Sequence, residues 1–197
     1  MGIRTEVRLL KRGYYPTGGG EATVTLYPIE TLKSFSVQEP PNFTEISGII
    51  HRANLPDHIS TRMKHAVMKI MMKHNLRTSI QVEAASSSST GTGITLWSTS
   101  DQTILGSTVL GEKSLSAETV GETAANHLMQ EITCGATIDR YAIDQILPYL
   151  VLVPKESSCL IREISNHTQT NMWLIKRFFS VDFEVTSQQD THRIIIR

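Results

Sequence analysis

Residues 45–75 read EISGIIHRANLPDHISTRMKHAVMKIMMKHN, and this stretch does most to decide the fold. Residues 45–50 have the short apolar pattern of a β-strand, whereas residues 57–75 repeat apolar side chains every three or four positions. The repeated positions are Met63, Ala66, Val67, Ile70 and Met71. Pro56 stands just before them, where a helix tolerates proline. The stretch therefore predicts a strand that leads directly into an amphipathic helix.

The segments that follow extend this pattern. Residues 79–83, 94–97 and 104–110 have the composition of strands, and residues 117–132 carry apolar side chains on one helical face. Residues 84–93 read AASSSSTGTG and predict a flexible turn. The resulting order β-α-β-β-β-α predicts a small α+β sandwich with its own core.

Two predicted strands precede this unit. Residues 5–10 and 21–27 alternate apolar and polar side chains, and KRGYYPTGGG at 11–20 separates them. Three consecutive glycines after a proline predict a hairpin connection with unusual backbone freedom. They would also let a phosphate approach the backbone, although a tight turn explains them more simply. Residues 33–44 lack periodicity, and we interpret them as the crossing between two structural units.

The remaining sequence changes character after residue 134. Asp139 can cap a helix that runs toward Val153, and residues 158–163 predict a strand. Ser165 or Asn166 can cap a further helix through Phe179, whose apolar stripe consists of Met172, Ile175 and Phe179. Residues 182–185 and 192–196 predict two closing strands.

The composition narrows the class of protein. The chain has 197 residues, 40% hydrophobic and 19% charged, which is enough to bury a core for one large domain or two small ones. Nineteen Lys and Arg balance nineteen Asp and Glu, which argues against coating nucleic acid through bulk charge. The longest apolar run is far shorter than the roughly 18 residues of a membrane helix. Because no signal peptide is evident and only two cysteines occur (Cys134 and Cys159), we expect a cytoplasmic protein.

A local basic cluster stands out against this neutral background. Arg4, Arg8, Lys11 and Arg12 face a single acid, Glu6, within the first twelve residues. Such a cluster is a candidate contact for phosphate or RNA. The alternative is an ordinary solvated strand edge.

His167 is the histidine whose position favours chemistry. It follows Ser165 and Asn166 at the start of a predicted helix, in ISNHTQTN. Backbone N–H groups there attract phosphate, and the positive end of the helix dipole favours the neutral imidazole that a nucleophile requires. The alternative is that His167 only assists Asn166 in capping the helix. The other six histidines are isolated, fit no metal-ligand spacing and are interpreted as structural or surface residues (His51, His58, His65, His74, His127 and His192).

A second candidate group lies in DRYAIDQILPYL, one turn into the preceding helix. Pro148 has no N–H, so the carbonyl of Asp144 loses its usual helical partner. The Asp144 carboxylate, the Gln145 amide and this free carbonyl would then suffice to hold a purine or a ribose. The alternative is a kinked helix with Asp144 on its solvent face.

Four segments in matching order resemble the RNA 3′-terminal phosphate cyclase family, particularly its archaeal members. They are RGYYPTGGGEATVTLYP at 12–28, SSSSTGTGITLW at 86–97, TIDRYAIDQILPYL at 137–150 and ISNHTQTNMWLIKRFF at 164–179. The resemblance runs nearly end to end. It implies ATP-dependent conversion of an RNA 3′-phosphate into a 2′,3′-cyclic phosphodiester, with a divalent cation (Mg²⁺ or Mn²⁺) assisting.

The resemblance also implies residue roles. In the family a histidine attacks the α-phosphorus of ATP through Nε2 and carries AMP, and the matching residue here is His167. The family's ATP-binding stretch matches Tyr141, Ala142, Ile143, Asp144 and Gln145. Tyr141 departs from the histidine that many members carry there, but its ring can still stack on adenine. The basic residues Arg4, Arg8, Lys11 and Arg12 remain candidates for the RNA or phosphate side.

The implied architecture is a large domain of βαβαββ repeats, like the C-terminal domain of translation initiation factor 3, with a smaller inserted α+β domain. Residues 1–41 and 134–197 would belong to the large domain and residues 42–133 to the insert. Family enzymes carry a further N-terminal stretch almost as long as this chain. We therefore expect exposed apolar surface, and either a separate chain that supplies the missing half, a remnant, or a misplaced start codon. The alternative function is a non-catalytic, cyclase-like RNA-binding or ribosome-biogenesis protein.

Overall fold

A computed structural model describes residues 2–197 of the chain as a mixed α/β protein. The helices are α1 (Asp57–Lys73), α2 (Ala117–Cys134), α3 (Ala142–Leu150) and α4 (Asn166–Phe178). The strands are β1 (Thr5–Lys11), β2 (Glu21–Leu26), β3 (Glu45–Ala53), β4 (Arg77–Ala85), β5 (Gly91–Thr99), β6 (Ile104–Leu110), β7 (Ser157–Ile161), β8 (Phe183–Ser187) and β9 (His192–Ile196).

The central unit is a four-stranded sheet covered by two helices. Its strand order is β4-β3-β5-β6, with β3 and β4 parallel across the α1 connection and the other pairs antiparallel. The predicted order β-α-β-β-β-α is thus confirmed. A continuous core joins the sheet to the helices, with Ile46, Ile50, Ile94, Leu96 and Leu128 fully buried.

Helices α1 and α2 approach closely where Gly121 of α2 meets the backbone of α1. A Cβ on Gly121 would lie 2.6 Å from the carbonyl oxygen of Met63, so only glycine permits this approach.

Ser116 caps α2 by accepting a hydrogen bond from the N–H of Thr119 at 3.0 Å. The predicted turn over residues 84–93 was too long, because residues 84–85 complete β4 and residues 91–93 begin β5.

The C-terminal unit has a three-stranded antiparallel sheet of order β7-β9-β8 with α3 and α4 packed over a second core. That core includes Ile143, Leu147, Cys159, Ile161 and Ile194, all fully buried. The helix predicted to run toward residue 153 ends at residue 150, and the strand predicted at 158–163 lies at 157–161. The strand predicted at 182–185 lies at 183–187.

Strands β1 and β2 form an antiparallel two-stranded ribbon, as the hairpin prediction required. Val7 pairs with Val24, so the two side chains share one face of the ribbon with Leu9 and Leu26. These four side chains are 52–68% exposed. An amphipathic ribbon with nothing on its apolar face is marginal on its own, so this surface is unusual for a folded domain.

Polar contacts join the two cores at one junction. The Arg162 guanidinium lies 2.9 Å from the buried carboxylate of Glu131, and the Thr103 hydroxyl donates to the carbonyl of Thr137 at 2.6 Å. Burial raises the pKa of Glu131, and the bond from Arg162 opposes that effect. The division at 42 and 133, and the likeness to translation initiation factor 3, stay predictions.

None of the helices between residues 2 and 197 combines the length and the apolar character needed to cross a bilayer.

Candidate active site

His167 is the second residue of α4, and its side chain is exposed. Ser165 caps this helix, because its hydroxyl accepts the N–H of Thr168 at 3.0 Å and its carbonyl accepts the N–H of Gln169 at 3.0 Å. Asn166 is therefore not the cap, and the interpretation of His167 as an assistant to an Asn166 cap is wrong. The first N–H groups of a helix have no partner within the helix, and in α4 the Ser165 hydroxyl takes that of Thr168.

Asp144 fixes this helix start from the side of α3. Its carboxylate accepts the hydroxyl of Thr168 at 2.6 Å and the hydroxyl of Ser165 at 3.2 Å. Thr168 is completely buried, and Asp144 is half-buried. The alternative that placed Asp144 on the solvent face of its helix is therefore wrong. The carboxylate holds the residues on both sides of the Asn166–His167 pair.

The carbonyl of Asp144 has a partner as well. Pro148 removes the N–H that would normally bond to this carbonyl, as the sequence predicted. The amide nitrogen of Asn171 donates to it instead, at 2.9 Å. The carbonyl is therefore not free for a ligand, and it ties α3 to the second turn of α4. We call Asp144, Ser165, Thr168 and Asn171 the α3–α4 lock.

The stretch predicted to bind ATP divides into buried and exposed side chains. Ile143 is fully buried in the second core, and Ala142 is half-buried. Tyr141 is 53% exposed and Gln145 is exposed, and four residues of helical backbone place both side chains on one face. The Arg140 guanidinium lies 5.1 Å from the centroid of the Tyr141 ring and 2.8 Å from the carboxylate of Glu163. This face offers a flat ring, a cation and an amide.

Asp139 fixes the start of α3, as predicted. Its carboxylate accepts the N–H groups of Tyr141 and Ala142 at 3.0 and 2.9 Å. The second carboxylate oxygen accepts the N–H of Gly106 in β6 at 3.1 Å. Asp139 thus fixes the start of α3 relative to the central sheet.

The basic residues of the ribbon lie apart from this region. Arg12 directs two guanidinium nitrogens at one carboxylate oxygen of Glu83, at 3.1 and 2.5 Å. Arg4 and Arg8 lie 3.8 and 3.9 Å from Glu6. Neither strand of the ribbon packs extensively against α3 or α4. The structure therefore does not bring these cations to His167.

His51 anchors the loop of the ribbon to the central sheet. The Tyr14 hydroxyl lies 2.8 Å from Nδ1 of His51, and the two rings are 5.6 Å apart. Burial lowers the pKa of His51, and the charge of Arg12 acts in the same direction. Gly91 is required here, because a Cβ would lie 2.0 Å from the Tyr14 ring. The interpretation of His51 as a structural histidine agrees with these contacts.

Sequence reasoning missed Thr168 and Asn171. Thr168 stands three residues after Ser165, which is the position where a side chain returns to a capping hydroxyl. Asn171 stands one turn later and offers an amide donor. The carbonyl freed by Pro148 required such a donor, and that requirement is the signal that would have found Asn171.

The described residues contain no preformed metal centre. Among residues 2–197, His, Cys, Asp and Glu side chains nowhere gather in a group of three that could hold an ion.

Comparison with known proteins shows the family to which the chain is similar. A family model described as RNA 3′-terminal phosphate cyclase matches residues 1–185. A protein named RNA 3′-terminal phosphate cyclase from Thermococcus gammatolerans is 35% identical over 189 residues, which cover 95% of this chain and 54% of that protein. Proteins of the same name from Pyrococcus furiosus and Methanosarcina barkeri are 35% and 32% identical, covering 94% and 100% of this chain.

The chain belongs to the RNA 3′-terminal phosphate cyclase family. It spans about half the length of these curated relatives, 54% to 57% of each. The family resemblance drawn from four sequence segments is thus confirmed.

Proposed function

We propose that this chain carries the nucleotidyl-transfer half of an ATP-dependent RNA 3′-phosphate cyclase, with His167 as nucleophile. The observation that carries the proposal is an exposed imidazole at a capped helix start that a buried network holds in place. A nucleophile must be accessible and positioned, and the exposure of His167 and the fixed residues on both sides of it support this role. The positive end of α4 favours the phosphate that His167 would attack.

The proposed reaction consists of three successive displacements at phosphorus, each with its own leaving group. His167 Nε2 forms a bond to the α-phosphorus of ATP while the bond from that phosphorus to the bridging oxygen breaks and pyrophosphate leaves. An oxygen of the RNA 3′-phosphate then takes the AMP, which returns the electron pair to His167. The neighbouring 2′-hydroxyl finally attacks the 3′-phosphorus, loses its proton and releases AMP. The RNA 3′-phosphate must first be joined to AMP, because the 2′-hydroxyl can displace AMP from the phosphorus but cannot displace oxide.

The exposed face of α3 supports nucleotide binding. Tyr141 and Arg140 offer flat groups for adenine, and Gln145 offers an amide on the same face. Ile143 contributes through packing and Asp144 through the α3–α4 lock. A divalent cation, Mg²⁺ or Mn²⁺, would assist this reaction by neutralising charge on the phosphates. The reducing cytoplasm predicted from two unpaired cysteines stays part of the proposal.

We also propose that polypeptide equivalent to the unmatched part of the relatives covers the apolar face of the ribbon. Val7, Leu9, Val24 and Leu26 are at least half exposed, and this chain spans 54% of a relative with 35% identity. A face of this kind is normally buried. RNA 3′-phosphate ends would be the substrate of the completed assembly.

Covalent labelling with ATP radioactive at the α-phosphorus tests the nucleophile. We expect label that survives denaturation in the wild type and is lost in His167→Ala. His58→Ala is the matched control, because His58 is also exposed and is also the second residue of a helix. Its helix begins after Pro56, which makes no side-chain cap bond. Equal loss in both variants, or label retained in His167→Ala, would contradict the proposal.

If the wild type takes no label alone, the assay is repeated with the N-terminal part of an archaeal relative. Label restored at His167 supports a site completed by that part. Label still absent favours the alternative function, a non-catalytic RNA-binding protein of the same fold.

A further inference from the structure

One stripe of α4 is exposed along its whole length. Asn166, Thr170, Trp173 and Arg177 are spaced by four, three and four residues, and at about 100° per residue they lie within a sector of about 60°. We call these four residues the α4 stripe. His167 lies in the first turn of the same helix, about 60° around the axis from Thr170, the nearest member of the stripe.

The aromatic member of the stripe is already paired with a cation. Trp173 is 58% exposed, and the Arg177 guanidinium lies 5.1 Å from the centroid of its ring. Among residues 2–197, no carboxylate forms an ion pair with Arg177. An exposed indole with a neighbouring guanidinium is the combination on which unpaired bases stack.

The residues of α4 itself carry no negative charge, although the Asp144 carboxylate of α3 bonds to its first turn. These thirteen residues, NHTQTNMWLIKRF, contain no Asp or Glu. The N-terminus carries the positive end of the helix dipole, and the last turn carries Lys176 and Arg177. Asp182 forms an ion pair with Lys176 at 2.7 Å, which leaves the Arg177 guanidinium to the Trp173 ring.

We propose that the α4 stripe binds single-stranded RNA, with one base stacked on Trp173 and a phosphate beside Arg177. This inference rests on the proposed function, because it places the 3′ end at His167. Six residues of helix separate His167 from Trp173, which is about 9 Å along the axis and about 120° around it, so the strand would cross α4 obliquely. A stacked strand advances about 3.4 Å per nucleotide, so the base on Trp173 lies at least about three nucleotides from the end.

An apolar protein segment would fit this surface less well. Such a segment would cover Phe178, which is 76% exposed, together with Trp173. Phe178 lies about 140° around the helix from Trp173 and outside the stripe. The stripe instead presents an amide, a hydroxyl, an aromatic ring and a cation in turn. The ring suits a base, and the polar and charged groups suit the sugar-phosphate backbone of a single strand.

Intrinsic fluorescence measures the stacking directly. The chain has two tryptophans, so Trp97→Phe leaves Trp173 as the single emitter. A single-stranded RNA hexamer with a 3′-phosphate should quench this emission in a saturable way. Trp173→Ala should weaken binding of the same fluorescently tagged hexamer about tenfold, because stacking on one ring contributes on that scale.

Two further variants separate stacking from general charge. Phe178→Ala removes a more exposed aromatic side chain and should leave RNA affinity within about twofold of the wild type. Arg177→Gln should weaken binding and reduce the slope of log affinity against log salt by about 0.7, as expected for one phosphate contact on a single strand. Far-UV circular dichroism checks that α4 survives in each variant.

Unchanged affinity in Trp173→Ala, absence of quenching, or equal affinity for an RNA duplex would overturn the inference. These results are distinct from failure of the proposed function, which is measured by labelling of His167. A wild type that is never labelled, but in which Trp173→Ala still weakens RNA binding, refutes the nucleophile and keeps the α4 stripe. Normal labelling of His167 in the wild type, with unchanged RNA affinity in Trp173→Ala, keeps the nucleophile and refutes the α4 stripe.

Discussion

Replacing Thr168 with valine separates positioning of His167 from binding of nucleotide. Valine has nearly the shape of threonine but lacks the hydroxyl that donates to Asp144 at 2.6 Å. Thr168 is fully buried, so its side chain is not accessible to a nucleotide. Any effect of this substitution on labelling must therefore act through the α3–α4 lock.

The expected loss of stability follows from the bond that disappears. A hydrogen bond to a charged group contributes about 1.5–3 kcal/mol, and the half-buried position of Asp144 favours the lower part of that range. The serine bond to the carboxylate at 3.2 Å and the cap bond at 3.0 Å remain. We expect Thr168→Val to lower the free energy of unfolding by about 1.5–2 kcal/mol. Domains of this size are stable by about 5–15 kcal/mol, so the variant should still fold.

Urea denaturation of a double-mutant cycle measures the coupling. Asp144→Asn, Thr168→Val and the double variant should give a coupling energy of about 1 kcal/mol, since the two side chains bond directly. The control cycle pairs Asp144→Asn with His58→Ala in α1, a side chain in a different unit, and should give none. Labelling of Thr168→Val with ATP should slow by roughly 10- to 100-fold, because a displaced nucleophile loses its alignment.

The opposite pattern would refute this reasoning. If Asp144→Asn weakens labelling while Thr168→Val is labelled at the wild-type rate, Asp144 acts as a ligand of the nucleotide and not through the lock. A coupling energy near zero would show that the bond does not hold α3 to α4.

Three further predictions concern buried groups. The pKa of His51 lies below that of an unfolded histidine, so the unfolded chain binds more protons and the free energy of unfolding falls as the pH drops through about 6.5. His51→Gln, which can still bond to Tyr14, should flatten this pH dependence in melting curves recorded from pH 7.5 to 5.5. An unchanged slope would exclude His51 as its source. Arg162→Met leaves the 3%-exposed carboxylate of Glu131 without its cation and should lower the free energy of unfolding, measured in urea, by about 3 kcal/mol. Adding Glu131→Leu to this variant should recover most of that loss. If it does not, Arg162 stabilises the protein through other contacts. Burial raises the pKa of Cys159 to about 12, so a thiol reagent should modify it in the native protein only at the rate of opening, and fast modification at pH 8 would contradict its buried position.

Much of the fold follows from local patterns. The apolar spacing of residues 57–75 and 117–132 predicts both long helices, because each covers a sheet with one face. The strand start at Gly91 escaped prediction, because serine, threonine and glycine have the composition of a turn. Gly91 lies in a strand for a tertiary reason, the close contact with Tyr14.

The candidate site was predictable in its exposed parts and not in its supports. A histidine after Ser165 at a helix start is visible in the sequence, and so is the carbonyl freed by Pro148. The contacts of Asp144 with Thr168 and Asn171 join residues 24 and 27 positions apart, and no local pattern encodes such a pair. The pairing of Arg12 with Glu83 likewise depends on how the ribbon lies against the central sheet.

Mapping the adduct tests the central claim most directly. The chain, with the N-terminal part of an archaeal relative added, is incubated with ATP and Mg²⁺, digested under conditions that preserve phosphoramidates, and sequenced by tandem mass spectrometry. The account predicts AMP on His167 in the peptide that contains ISNHTQTN, and none on His58. AMP on another residue, or none in an assembly that cyclises RNA ends, would contradict it.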